Sequence, residues 1–138
     1  MGVCYSEKYI REILKEVKTI AVVGASSKSD RDSYKVMAAL IEHGYQVFPI
    51  NPNEEGNLIL DQLCYSDLRS LKIKIDMVDV FRVKEAVMGV TKEAISIGAK
   101  VLWTQLGIIN EEASKLAKGS GLKVVMNRCP KIELAKQY

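Results

Sequence analysis

Histidine is almost missing from this sequence: His43 stands alone in 138 residues. Cysteine is scarce as well. Cys4, in a terminus expected to fray, Cys64, in a stretch expected at the surface, and Cys129 are odd in number and far apart, with no two at metal-ligand spacing. One histidine cannot complete a zinc set, so no metal site is expected. Scattered cysteines in odd number fit a reducing cytoplasm. No run reaches about 18 consecutive apolar residues, so no membrane-spanning helix is expected. The N-terminus lacks a basic stretch followed by an apolar one, and no secretion signal is expected. The 20 Lys and Arg residues exceed the 17 Asp and Glu residues by a net charge of +3, and they are dispersed along the chain. Nucleic-acid binders instead gather their cations into a stripe, so nucleic acid is not an expected partner. There is also no internal repeat, low-complexity segment or linker.

What is present is the composition of an ordinary folded domain. Hydrophobic residues make up 48% and charged residues 27%. That supports a real core and argues against disorder. The length suits one domain over residues 1–138.

Apolar residues at Tyr9, Ile10, Ile13, Leu14 and Val17 form one helical face. They predict a helix over about 6–17, packed on the sheet edge. A β-branched run at 19–23 predicts the first strand. A helix over 33–43 follows and closes on Gly44 as its C-cap. The next strand spans 45–50, with Pro49 weakening the pairing near its end. Asn51-Pro52-Asn53-Glu54-Glu55-Gly56 is a loop on turn chemistry. A short strand at 58–60 and a short helix at 66–71 come next. Strand 75–81, an amphipathic helix over 83–97 closed by Gly98, and strand 100–104 follow in order. Asn110 caps a helix running to Lys118, a strand covers 122–126, and a short helix begins at Pro130. Continuous apolar strands alternating with helices predict a parallel sheet covered on both faces. Right-handed crossovers make it doubly wound. The fold class expected is α/β: a doubly wound, mostly parallel, five-stranded, Rossmann-like sheet with helices on both faces.

Ligands of such sheets bind beyond the carboxyl ends of the strands. Polar residues, glycine or proline sit at every one of these places: residues 24–28, Asn51-Pro52, Phe81-Arg82, Gln105-Leu106-Gly107 and Asn127-Arg128-Cys129-Pro130. The first of these loops stands out. A strand stops at Gly24, the small residues Ala25, Ser26 and Ser27 follow, then Lys28, Arg31 and a helix. Such an arrangement presents backbone N–H groups and a helix N-terminus to an anion. A dinucleotide fingerprint wants G-x-G-x-x-G and an acid ending the second strand. Here the loop has one glycine, and the strand ends in Ile50-Asn51-Pro52. Both departures argue against NAD. Lys28 and Arg31 argue for a ligand with additional phosphate.

Six segments, in order, then carry a family resemblance: Val22-Val23-Gly24-Ala25-Ser26; Arg31 with Ser33-Tyr34-Lys35-Val36; Gly44 to Pro52; Val78-Asp79-Val80-Phe81-Arg82; Trp103 to Ile108; and Asn127 to Glu133. The chain resembles the stand-alone CoA-binding proteins, small Rossmann-type domains. These are similar in turn to the N-terminal domain of the succinyl-CoA synthetase α subunit. The resemblance implies coenzyme A, or an acyl-CoA, as the small-molecule partner. By it, Gly24, Ala25, Ser26, Ser27 and Lys28 would wrap the pyrophosphate, and Arg31 would fork a phosphate beside Lys28. Asn51, Pro52, Phe81 and Arg82 would flank the adenosine end, and Gln105 and Gly107 the pantetheine arm. Ligase α subunits add a second domain with a phosphorylated histidine. This sequence shows no counterpart, and His43 at a helix end is read as structural, so the synthetase reaction is not implied.

Several residues admit two readings. Tyr34 either contacts the ligand or packs in the first turn of its helix. Trp103 is read as core. Asp79, inside an apolar run, needs a partner, either a loop backbone or the ligand. Cys129 at the binding edge is a small buried hydrophobe or a thiol activated by Arg128 or a helix N-terminus, with Glu133 orienting the site or closing the tail. No Ser–His pair, metal cluster or carboxylate pair makes an evident catalytic set. Binding without chemistry is therefore the leading reading. A thiol–disulfide or acyl-transfer enzyme using Cys129, and an NAD(P)-binding redox protein, are the alternatives. A homodimer or a protein partner stays open.

Overall fold

The structure, a computed structural model, describes residues 5–137. Five helices, α1 (Glu7–Glu16), α2 (Asp32–Glu42), α3 (Lys84–Ser96), α4 (Glu111–Gly119) and α5 (Pro130–Ala135), alternate with strands. The strands are β1 (Thr19–Val23), β2 (Gln46–Ile50), β3 (Leu58–Ile59), β4 (Gln62–Leu63), β5 (Met77–Val80), β6 (Val101–Thr104) and β7 (Lys123–Val125). Five of them make one parallel sheet in the order β2-β1-β5-β6-β7. β3 and β4 form a small antiparallel hairpin. The fold is the α/β, doubly wound, Rossmann-like sheet that the sequence predicts.

Both faces of the sheet are buried, which is why its strands read as unbroken apolar runs. On one face α1, α2 and α5 pack Ile13, Leu40 and Leu134 against Val22, Met77 and Trp103. On the other, α3 and α4 pack Val87, Ala94 and Ala117 against Val23, Val80 and Leu102. Each large side chain so buried contributes roughly 1.5–3 kcal/mol before entropy is counted. Among the described residues no helix is long and apolar enough to cross a membrane.

The first helix covers the open edge of β7 and part of one face: the Tyr9 hydroxyl donates to the Val124 carbonyl and accepts the Val124 N–H on that outer strand, while Ile10, Ile13 and Leu14 join the core beneath it. Three local expectations need correction. Pro49 keeps full register with Val22, because β2 is an outer strand, where a proline is tolerated. The segment 66–71 is only a 3₁₀ turn at Leu68–Ser70, because the Asp67 carboxylate takes the Ser70 N–H and holds a tight turn. Cys64, read as a surface residue, is 1% exposed, its thiol set against the carbonyl of Asn51. The β4 half of the hairpin went unpredicted. Its turn puts Leu60 and Asp61 at positive φ, without the Asn-Gly or Asp-Gly pair that advertises such turns. Cys4 lies outside the described residues.

The strand order places the switch point between β1 and β5. From β1 the chain crosses outward to β2; from β5 it builds outward the other way. Loops diverging on either side of that point leave a crevice above the sheet.

Candidate functional site

The crevice is built first by the protein's own close approach. Gly24, directly after β1, has φ +91°, and a Cβ there would be driven into the carbonyl oxygen of Phe81 and lie 3.2 Å from Cδ of Arg82. Only glycine lets the loops after β1 and β5 pass this closely. The glycine read from sequence as a ligand contact is thus required before any ligand arrives.

The amides of the loop after β1 are less open than the sequence implied. Gly24 and Ala25 both donate to the Ile50 carbonyl, at 2.9 and 3.2 Å. Ala25 is 1% exposed. The Ser27 N–H donates to Oε2 of Glu54 at 2.8 Å, and the Lys28 N–H to Oγ of Ser26 at 3.1 Å. Ser27, Lys28 and Arg31 are exposed, with Arg31 at the N-cap of α2. Sequence reading passed over Glu54. A proline-started turn immediately after a strand at the ligand edge was the available signal. Ser27's hydroxyl and N–H, with help from the Lys28 charge, hold the Glu54 carboxyl below its ordinary range.

Two clefts flank the switch point. The first, of about 400 Å³, runs between Asn51-Pro52 and Phe81-Arg82, floored by Val23 and Gly24. The second, of about 430 Å³, runs from Phe81-Arg82 past Val83 to Gln105 and Gly107. Phe81 and Arg82 belong to both. The structure therefore gathers Gly24, Asn51, Pro52, Phe81, Arg82, Gln105 and Gly107 along one edge. Ala25, Ser26, Ser27, Lys28, Arg31 and Tyr34 line neither cleft, and their loop stands beside the first. Asn51 ties the two together, donating from Nδ2 to the Ala25 carbonyl at 2.8 Å.

The far wall is braced by hydrogen bonds between the loops after β6 and β7. The Gly107 N–H donates to Oδ1 of Asn127 at 2.7 Å, and the Asn127 N–H to Oγ1 of Thr104. The Thr104 hydroxyl donates to the Ile108 carbonyl at 2.6 Å. Asn127 holds φ +61° to do this, a conformation asparagine tolerates better than most residues. Gln105 is 8% exposed, and its Oε1 meets no donor among the described residues.

The remaining candidates sort by burial. Trp103 is wholly buried and donates from Nε1 to the Arg128 carbonyl at 2.9 Å, as a core residue does. Tyr34 is half-buried against the same core. Asp76 accepts the N–H groups of Lys18 and Thr19, a purely local brace. Asp79, for which a loop-backbone partner was one expectation, has none: both oxygens are buried and unpartnered among the described residues. Cys129 is 6% exposed within the apolar core, and Arg128 lies over the Tyr5 ring. Glu133 is buried and paired with Lys136 at 3.3 Å. His43 is the exposed C-cap of α2. Among the described residues no three His, Cys, Asp or Glu gather as metal ligands.

Known proteins agree with this architecture. The uncharacterised protein YneT of Bacillus subtilis is 39% identical over 127 residues, covering 92% of this chain and 93% of its own. A hypothetical protein of Pyrococcus horikoshii OT3 superposes with a TM-score of 0.90 at 42% identity, over 99% of this chain and 98% of its own. The dinucleotide-forming acetyl-coenzyme A synthetase 1 of Ca. Korarchaeum cryptofilum shares the fold, with a TM-score of 0.66 at 24% identity. That match covers 78% of this chain but 25% of the synthetase. The CoA binding domain family matches residues 18–135, nearly the whole doubly wound unit with its switch-point loops, and the chain belongs to that family.

Proposed function

We propose that this protein binds coenzyme A or an acyl-CoA along the carboxyl edge of β1, β5 and β6, without chemistry of its own. One observation carries the reading: two clefts join at Phe81 and Arg82 beside a loop bearing Lys28 and Arg31. CoA is a long ligand in three chemical parts. The adenosine end fits the cleft between Asn51-Pro52 and Phe81-Arg82. The phosphates fall to Ser27, Lys28 and Arg31, where a hydroxyl, a point charge and a guanidinium fork are all exposed. The pantetheine arm follows the second cleft past Gln105 and Gly107. The unpartnered Gln105 oxygen is an acceptor for an amide N–H, which that arm carries. Val83 and Leu106 are 67% and 52% exposed along this cleft, apolar surface suited to a thioester-linked acyl group.

Burial of Cys129 in the core supports packing over catalysis, since buried structural cysteines are inert. Cys64 and Cys129 are free thiols, which supports a place in a reducing compartment such as the cytoplasm. Calorimetric titration with CoA, 3′-dephospho-CoA and NAD in parallel tests the reading. Saturable CoA binding, weaker without the 3′-phosphate and absent with NAD, is expected. Binding of NAD with no response to CoA would overturn it in favour of the redox alternative.

A further inference from the structure

We propose that Glu54 stands in for a ligand phosphate at the loop after β1 and restricts the site to ligands that bring a diphosphate. The proposal rests on the CoA reading above and assigns its specificity. Glu54 takes the Ser27 N–H at 2.8 Å. The exposed Lys28 follows directly in the same loop. A backbone amide beside a cation is a pairing that a phosphate oxygen takes at such loops.

The turn that carries Glu54 is fixed. Pro52 starts it, the Asn51 side chain accepts the Asn53 N–H at 2.9 Å, and the same side chain anchors it to Ala25 at 2.8 Å. Glu54 therefore leaves by rotating its own side chain, while the backbone stays. The loop's amides divide accordingly. Those of Gly24 and Ala25 are committed to a backbone carbonyl, which cannot turn away. Those of Ser27 and Lys28 are held by side-chain oxygens, which can. A diphosphate offers more charge and more oxygens than one carboxylate, and so displaces it. Adenosine or pantetheine alone brings no anion to exchange for Glu54.

The test uses the full chain with Glu54→Ala and Glu54→Gln, titrated with inorganic pyrophosphate and separately with CoA, while the Ser27 amide is followed by NMR. The expected result is pyrophosphate binding about tenfold tighter in Glu54→Ala than in the natural sequence, with Glu54→Gln between them. CoA affinity rises in the same order. Without ligand, the Ser27 amide resonance of Glu54→Ala moves away from its natural position, as it does in the natural protein when pyrophosphate is added. Pyrophosphate binding that is absent, unchanged or weaker in Glu54→Ala overturns the proposal. So does weaker CoA binding in that variant, which would make Glu54 a direct ligand contact. Tighter pyrophosphate with no CoA binding by any form would sink the CoA reading and leave Glu54's role standing.

Discussion

Asp79 stands opposite Trp103 in the sheet register, and neither oxygen of its fully buried carboxyl meets a donor among the described residues. Val22 flanks it on the other side. Burial pushes this carboxyl well above its ordinary value of 3.8. The folded chain thus keeps the proton through a pH range in which the unfolded chain has lost it. The group's contribution to stability is full below the unfolded value and is lost as pH rises toward the folded one.

Asp79→Asn should remove that slope. Chemical denaturation at a series of pH values is expected to show the natural protein losing stability relative to Asp79→Asn as pH climbs above about 4. Parallel curves would mean that Asp79 is not held as a neutral acid. Asp79→Val, a β-branched residue matching neighbouring Val22, is expected to stabilise the fold by about 1–3 kcal/mol, since it removes a buried polar group without a partner.

Gly24→Ala meets two obstacles at once, a positive φ and the carbonyl of Phe81. A loss of roughly 1–3 kcal/mol is expected in urea denaturation, together with displaced amide resonances in residues 81 and 82. An unperturbed Phe81–Arg82 segment would contradict the close approach.

Gln105→Leu separates the two halves of the ligand. Oε1 of Gln105 has no partner to lose, so stability should change little. Affinity for CoA is expected to fall about 5- to 10-fold, the value of one ordinary hydrogen bond, while adenosine 3′,5′-bisphosphate, which lacks the arm, binds as before. Equal losses for both ligands would place Gln105 elsewhere in the site.

Arg31→Ala should cost about tenfold in CoA affinity and reduce the preference for CoA over its 3′-dephospho form. Calorimetry at two salt concentrations checks it: the variant's binding should be less salt-sensitive, because a phosphate-facing cation is gone. An unchanged preference would assign the 3′-phosphate to Lys28 or Arg82.

Much of this was legible in local patterns. The apolar run Thr19–Val23, the cap at Asn110 and Gly44 at the end of α2 each act within a few residues of themselves, and such signals survive in sequence. Misreadings arose where a distant neighbour had the last word. Cys64 looked superficial until the hairpin folded over the end of β2. The candidate loops were found because the rule about carboxyl ends needs only the strands. The commitment of the Gly24 and Ala25 amides to Ile50 needs their neighbours.

Periodicity, turn chemistry and the loop at residues 24–31 were enough to establish a doubly wound α/β chain with an anion-friendly edge, since these depend on spacing along the backbone. Strand order was beyond them, because parallel strands pair through backbone groups that are alike in every arrangement. Once β1 lies between β2 and β5, the rest follows from juxtaposition. Phe81 closes over Gly24, Glu54 reaches Ser27 across 27 positions, and Asp79 is sealed between Val22 and Trp103.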